Sequence, residues 1–114
     1  MHEMSILNAL WEVVEPEFKK TGANQLTEIR ILVGDYHQYV DEVLQVCFEA
    51  LVLDYPFAKE AKLLITHEPA IARCKQCNKE WPFYEHFYRC PECFVSQSQI
   101  ISGKSLSLLS IEVN

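Results

Sequence analysis

What this chain lacks narrows its class first. No apolar run approaches the roughly 18 residues needed to cross a bilayer, so no membrane segment is expected. The opening MHEMSILNALWEVVE has neither a basic start nor an uninterrupted apolar stretch, so export is not expected either. Positive charge is scarce: 10 Lys and Arg stand against 16 Asp and Glu, and the net charge of −6 repels phosphate backbones. Residues 73–93 gather four basic side chains, but three glutamates and four thiolates around one divalent ion turn that segment slightly negative. Nucleic acid is therefore not an expected partner. The chain shows no phosphate loop, no recognisable nucleophile arrangement and no low-complexity tract, which leaves no basis for an enzyme. Its five cysteines are an odd number, and a cytoplasmic, reducing location makes paired Cys-x-x-Cys elements metal ligands before disulfides.

What is present suits one main core, since 114 residues is about one domain's length. Met4, Leu7, Trp11, Val14 and Phe18 recur at steps of three and four, the apolar stripe of a helix. Pro16 predicts a kink or an end near Glu15, and Ser5 reads as the N-cap, leaving residues 1–3 outside the helix. Ile29, Ile31 and Val33 alternate with Glu28 and Arg30 as in a half-buried strand closed by Gly34-Asp35. A second helix is predicted from Val40, Val43, Leu44, Cys47, Phe48 and Leu51, with Cys47 as a small core residue. Leu63, Ile65 and His67 share one face of a strand expected to continue towards Cys74, and Leu106, Leu108, Leu109, Ile111 and Val113 read as a largely buried strand. The expected fold is α+β: two helices packed on a small three-stranded sheet, with an inserted four-cysteine zinc-ribbon module. The boundaries drawn are 1–73 plus 96–114 for the α+β domain and 74–95 for the module.

The strongest chemical signal is Cys74-Lys75-Gln76-Cys77, a twelve-residue spacer, then Cys90-Pro91-Glu92-Cys93. Two residues between thiols let one tight turn aim both sulfurs at a single ion, and two such turns complete the tetrahedral shell that zinc prefers. Four thiolates leave no open position, so the site reads as structural; a rubredoxin-like iron electron carrier and a zinc-ribbon interaction adaptor are the alternatives. The residue after each pair often needs the left-handed backbone that glycine accepts best, and here Asn78 and Phe94 stand there, predicting strain or a different build at the second turn. Trp81, Phe83, Tyr84, Phe87 and Tyr88 are expected to form the module's miniature core, with His86 among them. His37 and His67 are read as structural, and no metal role is assigned to them.

At the other end stands Met1-His2-Glu3. A terminal amine, the His2 imidazole and nearby deprotonated amides can offer nitrogen donors to nickel or copper in a roughly square-planar arrangement. With this start, Ile31-x-Val33-Gly34, Leu44-x-x-x-Phe48-Glu49, Ala61-x-Leu63-x-Ile65, the two cysteine pairs and the ending Ser110-Ile111-Glu112-Val113, the chain resembles the HypA family of hydrogenase-maturation nickel chaperones over nearly its whole length. The resemblance implies transient Ni(II) cargo at Met1, His2 and Glu3 and structural Zn(II) at Cys74, Cys77, Cys90 and Cys93. It also implies delivery to a [NiFe]-hydrogenase large subunit precursor with a HypB-type GTPase as partner, and it leaves open whether the chain is a homodimer. Departures from the family pattern are Asn78 and Phe94 in place of glycines, Ser105 where a glutamate is common, and Pro16.

Overall fold

The computed structural model describes residues 2–114, with side chains from Glu3 onward. Helix α1 (His2–Thr21) buries Leu7, Leu10, Trp11, Val14 and Phe18 along one stripe. It does not break at Glu15. Glu12 and Pro16 both lie on the exposed face, so the carbonyl that proline deprives of its usual donor belongs to a solvent-facing residue, and buried Val14 and Phe18 stand on either side of Pro16. Ser5 is not the N-cap, because the helix already begins at His2 and carries acidic Glu3 in its first turn, favourably placed at the positive end. The Glu3 carboxylate also accepts a bond from the Val40 amide at 3.3 Å. At the far end Thr21 Oγ1 donates to the Phe18 carbonyl at 2.7 Å, and Gly22 takes the left-handed conformation that stops the helix.

Strand β1 (Leu26–Gly34) buries Leu26, Ile29, Ile31 and Val33 and is the middle of a sheet ordered β2-β1-β6. Here β2 is Lys62–Glu68 and β6 is Leu106–Val113. Gln25 and Asn114 exchange backbone bonds of 3.2 and 2.9 Å, and Thr27 Oγ1 donates to the Glu112 carbonyl, so β1 and β6 run antiparallel. The expectation of a largely buried β6 is corrected: as an edge strand its residues are half-buried or exposed, and Leu109 is 54% exposed. Helix α2 (Asp41–Val52) buries Leu44, Phe48 and Val52, whereas Cys47, expected in the core, is half-buried.

The strand read as continuing from Leu63 towards Cys74 is interrupted. Pro69 cannot donate to a ladder, β2 ends at Glu68, and β3 (Ile71–Cys74) joins a different sheet. That sheet, ordered β4-β3-β5, is antiparallel throughout and combines β3 with β4 (Glu80–Pro82) and β5 (Ser98–Ser102). About three strands were expected; the described residues form six in two sheets, because β5 is built partly from a polar stretch with no alternating apolar signal. A single-turn helix α3 (Phe83–His86) follows β4.

The chain divides into two compact units. The first takes the residues up to Leu32, Tyr39–Thr66 and Leu106–Asn114; the second takes Val33–Gln38 and His67–Ser105. The second is larger than the 74–95 module, since β3 and β5 frame the metal loops and the Val33–Gln38 segment packs with them. Two glycines make that packing possible: a Cβ on Gly34 would meet the Gly103 backbone at 2.2 Å, and one on Gly103 would meet the Pro69 carbonyl at 2.3 Å. Among the described residues no helix is long and apolar enough to cross a membrane.

Candidate metal centre

Two short loops with one design bring the four cysteines together. Cys74 ends β3, its N–H donates to the Lys79 carbonyl at 2.8 Å, and the Asn78 N–H donates back to the Cys74 carbonyl at 3.0 Å. Sixteen residues on, the pattern repeats: Cys90 N–H donates to Val95 at 3.0 Å and Phe94 N–H donates to Cys90 at 3.0 Å. Asn78 and Phe94 have φ of 66° and 65°, so Phe94 is not built differently from its counterpart. It carries a left-handed conformation that costs a bulky residue about 1–2 kcal/mol, while Asn tolerates it.

In each loop the leading sulfur collects backbone donors. Cys74 Sγ accepts from Gln76 (3.3 Å) and Cys77 (3.5 Å); Cys90 Sγ accepts from Glu92 (3.3 Å) and Cys93 (3.4 Å). The Cys77 and Gln76 amides thus pull the Cys74 thiol below its ordinary value against the opposing effect of burial. Cys90 is the strongest case: burial opposes ionisation, but the Cys93 and Glu92 amides and the Cys77 and Cys93 thiols outweigh it and lower the thiol to about 7. The trailing thiols move the other way. The Lys79 amide opposes the shift at Cys77, yet burial and the Cys90, Cys93 and Cys74 thiols push it up to about 12; Cys93 is raised against its Val95 amide bond by burial and by Cys74 and Cys90. Four thiols this close cannot all ionise without a cation among them.

The spacing fits one. With metal–sulfur bonds of about 2.3 Å, tetrahedral sulfurs stand about 3.8 Å apart. Cys74–Cys93 and Cys77–Cys90 are each 3.6 Å apart, and all four sulfurs lie within 4.8 Å of one another. Cys74 and Cys90 are buried and Cys77 is exposed, so the ion would sit with one side against the unit's interior. The backbone donors around the leading sulfurs were not legible as such in the sequence; the sixteen-residue offset of the two Cys-x-x-Cys elements was the available signal.

Only two of the five aromatics expected in the miniature core are inside it. Trp81 and Phe83 are buried, and Trp81 Nε1 donates to the Phe87 carbonyl at 2.8 Å. Tyr84, Phe87 and Tyr88 are exposed, though each ring contacts that of Phe83 at 4.9–5.6 Å. Tyr36, 52 residues from Tyr88 in sequence and without any local signal, completes the cluster: its hydroxyl bonds that of Tyr88 and its carbonyl accepts from Tyr84. His86 is exposed beside Cys90 and Phe94, His37 packs edge-on to Tyr36, and His67 Nδ1 pairs with Asp35 Oδ1 at 2.8 Å. Of the nickel residues expected at the start, Met1 and the His2 side chain lie outside the described residues, while Glu3 is seen bonded to Val40.

Fold and site together define a small α+β protein with a four-cysteine cluster spaced to hold a metal ion, a class that handles or holds metal and whose four-sulfur shell would leave no open coordination position for catalysis. The comparisons narrow the class. The model of the family described as "Hydrogenase/urease nickel incorporation, metallochaperone, hypA" matches residues 1–113, and the chain belongs to the HypA family. It is 34% identical to the hydrogenase maturation factor HypA of Chlorobaculum parvum over 99% of both chains, and 35% identical to that of Desulfatibacillum aliphaticivorans over 99% of this chain and 87% of the relative. The solution structure of the Ni metallochaperone HypA from Helicobacter pylori superposes with a TM-score of 0.74 at 25% identity, covering 99% of this chain and 97% of that one. Membership makes the protein a maturation factor rather than an enzyme.

Proposed function

We propose that this protein carries nickel for the maturation of [NiFe]-hydrogenase, taking Ni(II) at Met1, His2 and Glu3 while Zn(II) stays at Cys74, Cys77, Cys90 and Cys93. The observation that best supports the nickel half is that α1 begins at His2. The first N–H groups of any helix have no intrahelical acceptor, so the backbone nitrogens beside His2 are available even though they are helical. Chelation by successive backbone nitrogens needs ψ near zero, whereas helical ψ is about −42°. Nickel loading therefore unwinds the first turn of α1, and that cost keeps a terminal site able to release its cargo. A HypB-type GTPase and the hydrogenase large subunit precursor are the partners this reading carries, in the cytoplasm, where the thiols stay reduced.

A four-sulfur shell suits zinc and iron alike, and zinc is favoured because a carrier of cargo needs no redox centre; a red, iron-loaded protein with visible thiolate charge transfer would replace that half of the reading. For nickel, the untagged protein and His2→Ala are titrated side by side, with an N-terminally extended form as a third arm. Both changes are expected to abolish tight binding, and affinity falls with pH as imidazole and amide protons compete with the metal. Equal tight binding by the wild type and His2→Ala would sink the proposed site.

A further inference from the structure

Helix α2 is apolar on two opposite faces. Leu44, Phe48 and Val52 fill the interior, while Val43, Val46 and Leu53 on the far side are 40–69% exposed and Ala50 between them is also exposed. These four fall at steps of three, four and three, the a/d seam that one helix offers to another. In that register Glu42 and Glu49 occupy both g positions and Cys47 and Asp54 the e positions, so none of these four is basic and α2 contains no lysine or arginine. A groove of about 540 Å³ opens beside the seam between α2 and β2, lined by Glu49, Leu53 and Leu64 among others, with Lys59 and Lys62 at its β2 side. Its volume would admit a large anchoring side chain.

We infer that this face of α2 docks a basic amphipathic helix of another protein. Pattern argues for a helix: an exposed seam over a 12-residue helix matches about three turns of a partner laid along it. Charge on α2 argues for a basic one, because residues at e and g choose the partner and here they are acidic or neutral, whereas Lys59 and Lys62 line the neighbouring groove and lie outside α2. The same charges oppose a second copy of this chain in either orientation. Antiparallel pairing sets Glu42 and Glu49 against the glutamates of the other copy, and parallel pairing sets Glu49 against Asp54. The inference does not depend on which metals are bound.

The test uses the zinc-loaded full chain and two fluorescent peptides of about 18 residues with leucines at helical spacing, one with lysines and one with glutamates on the flanks. The lysine peptide is expected to bind at least about tenfold more tightly than the glutamate peptide, and Val46→Asp or Leu53→Asp, both at exposed positions, to weaken it by at least about tenfold. The double variant Glu42→Lys/Glu49→Lys is expected to reverse the preference between peptides. Sedimentation of the protein alone, with Val46→Asp as control, is expected to show no association through this face. Absence of lysine-peptide binding, equal binding of both peptides, indifference to Val46→Asp, or a wild-type dimer that Val46→Asp dissociates would each overturn the inference.

Discussion

The two units enclose their interiors by different means. The first buries large apolar side chains from both long helices and its sheet, among them Leu7, Trp11, Phe18, Ile31, Leu44 and Phe48, with Phe18 stacked on Phe57 at 4.4 Å between ring centroids. The second has a buried cluster of two alanines, two cysteines, Trp81 and Phe83. Fully burying a large apolar side chain contributes about 1.5–3 kcal/mol. With Val33, the unit buries only three such residues beside its alanines, too few to offset the entropy of ordering its chain, so a bound metal would supply what the core does not. The first unit is a small hydrophobic domain; the second is a four-cysteine cluster with a small core attached.

The sharpest way to break that contrast is to strip the metal. Structural zinc in small domains contributes about 10–16 kcal/mol of folding free energy near neutral pH, so a strong chelator is expected to unfold the second unit and leave the first folded. Amide exchange resolves the two: protection should vanish over β3–β5 and persist along α1 and β1. Retained protection at Ala72 and Trp81 in metal-free protein would show that the second unit has a sufficient core of its own.

The converse experiment removes apolar volume from the first unit. Leu44 is fully buried, and Leu44→Ala is expected to cost about 2–5 kcal/mol in chemical denaturation while one zinc per chain remains. Loss of zinc together with stability in this variant would mean that the units do not fold independently.

Acid should separate the units as well. Without metal, Cys77 is pushed up to about 12 and Cys93 is raised, so both hold their protons at neutral pH, and Cys90, at about 7, is partly protonated. Zinc binds thiolates, so loading releases those protons, and each proton released makes affinity fall about tenfold per unit drop in pH. At least two protons per ion, those of Cys77 and Cys93, are therefore expected in buffers of differing ionisation enthalpy near pH 7. A value of zero would mean the thiols are already ionised before the metal arrives. The first unit, with no buried ionisable group among its described residues, should keep its denaturation midpoint over the same range.

How much of this was legible follows the same division. The first unit's elements were readable because burial imposes period: the steps from Leu7 to Phe18 and the alternation from Ile29 to Val33 are direct imprints of a helix stripe and a strand face. The misreadings there came from local rules that packing overrode, as with Pro16 on a solvent face and the apolar but edge-lying β6. In the second unit the cysteine spacing, the left-handed positions at Asn78 and Phe94 and the burial of Trp81 and Phe83 were legible, but the strands were not. Strand β5 carries no apolar alternation along Ser98-Gln99, and its pairing with Arg73 and Cys74 is set by the loops the metal ligands require. Tyr36 joins Tyr88 across 52 residues, a contact that no local pattern encodes.

The smallest effect compares the two cysteine loops with each other. They share hydrogen bonds and backbone angles but differ in the residue at positive φ, Asn78 in one and Phe94 in the other. Glycine at position 94 would relieve about 1–2 kcal/mol of backbone strain. It would also forfeit the stack of Arg89 on the Phe94 ring, at 5.7 Å from its centroid, worth about 0.5–1 kcal/mol at an exposed site. Phe94→Gly is therefore expected to stabilise the zinc-loaded second unit by at most about 1.5 kcal/mol, whereas Asn78→Gly, at a residue that already tolerates the conformation, should change little. Amide exchange of Cys90 and Val95 in the two variants measures this. A clear destabilisation by Phe94→Gly would show that the exposed ring's contacts, rather than backbone preference, decide the residue at this turn.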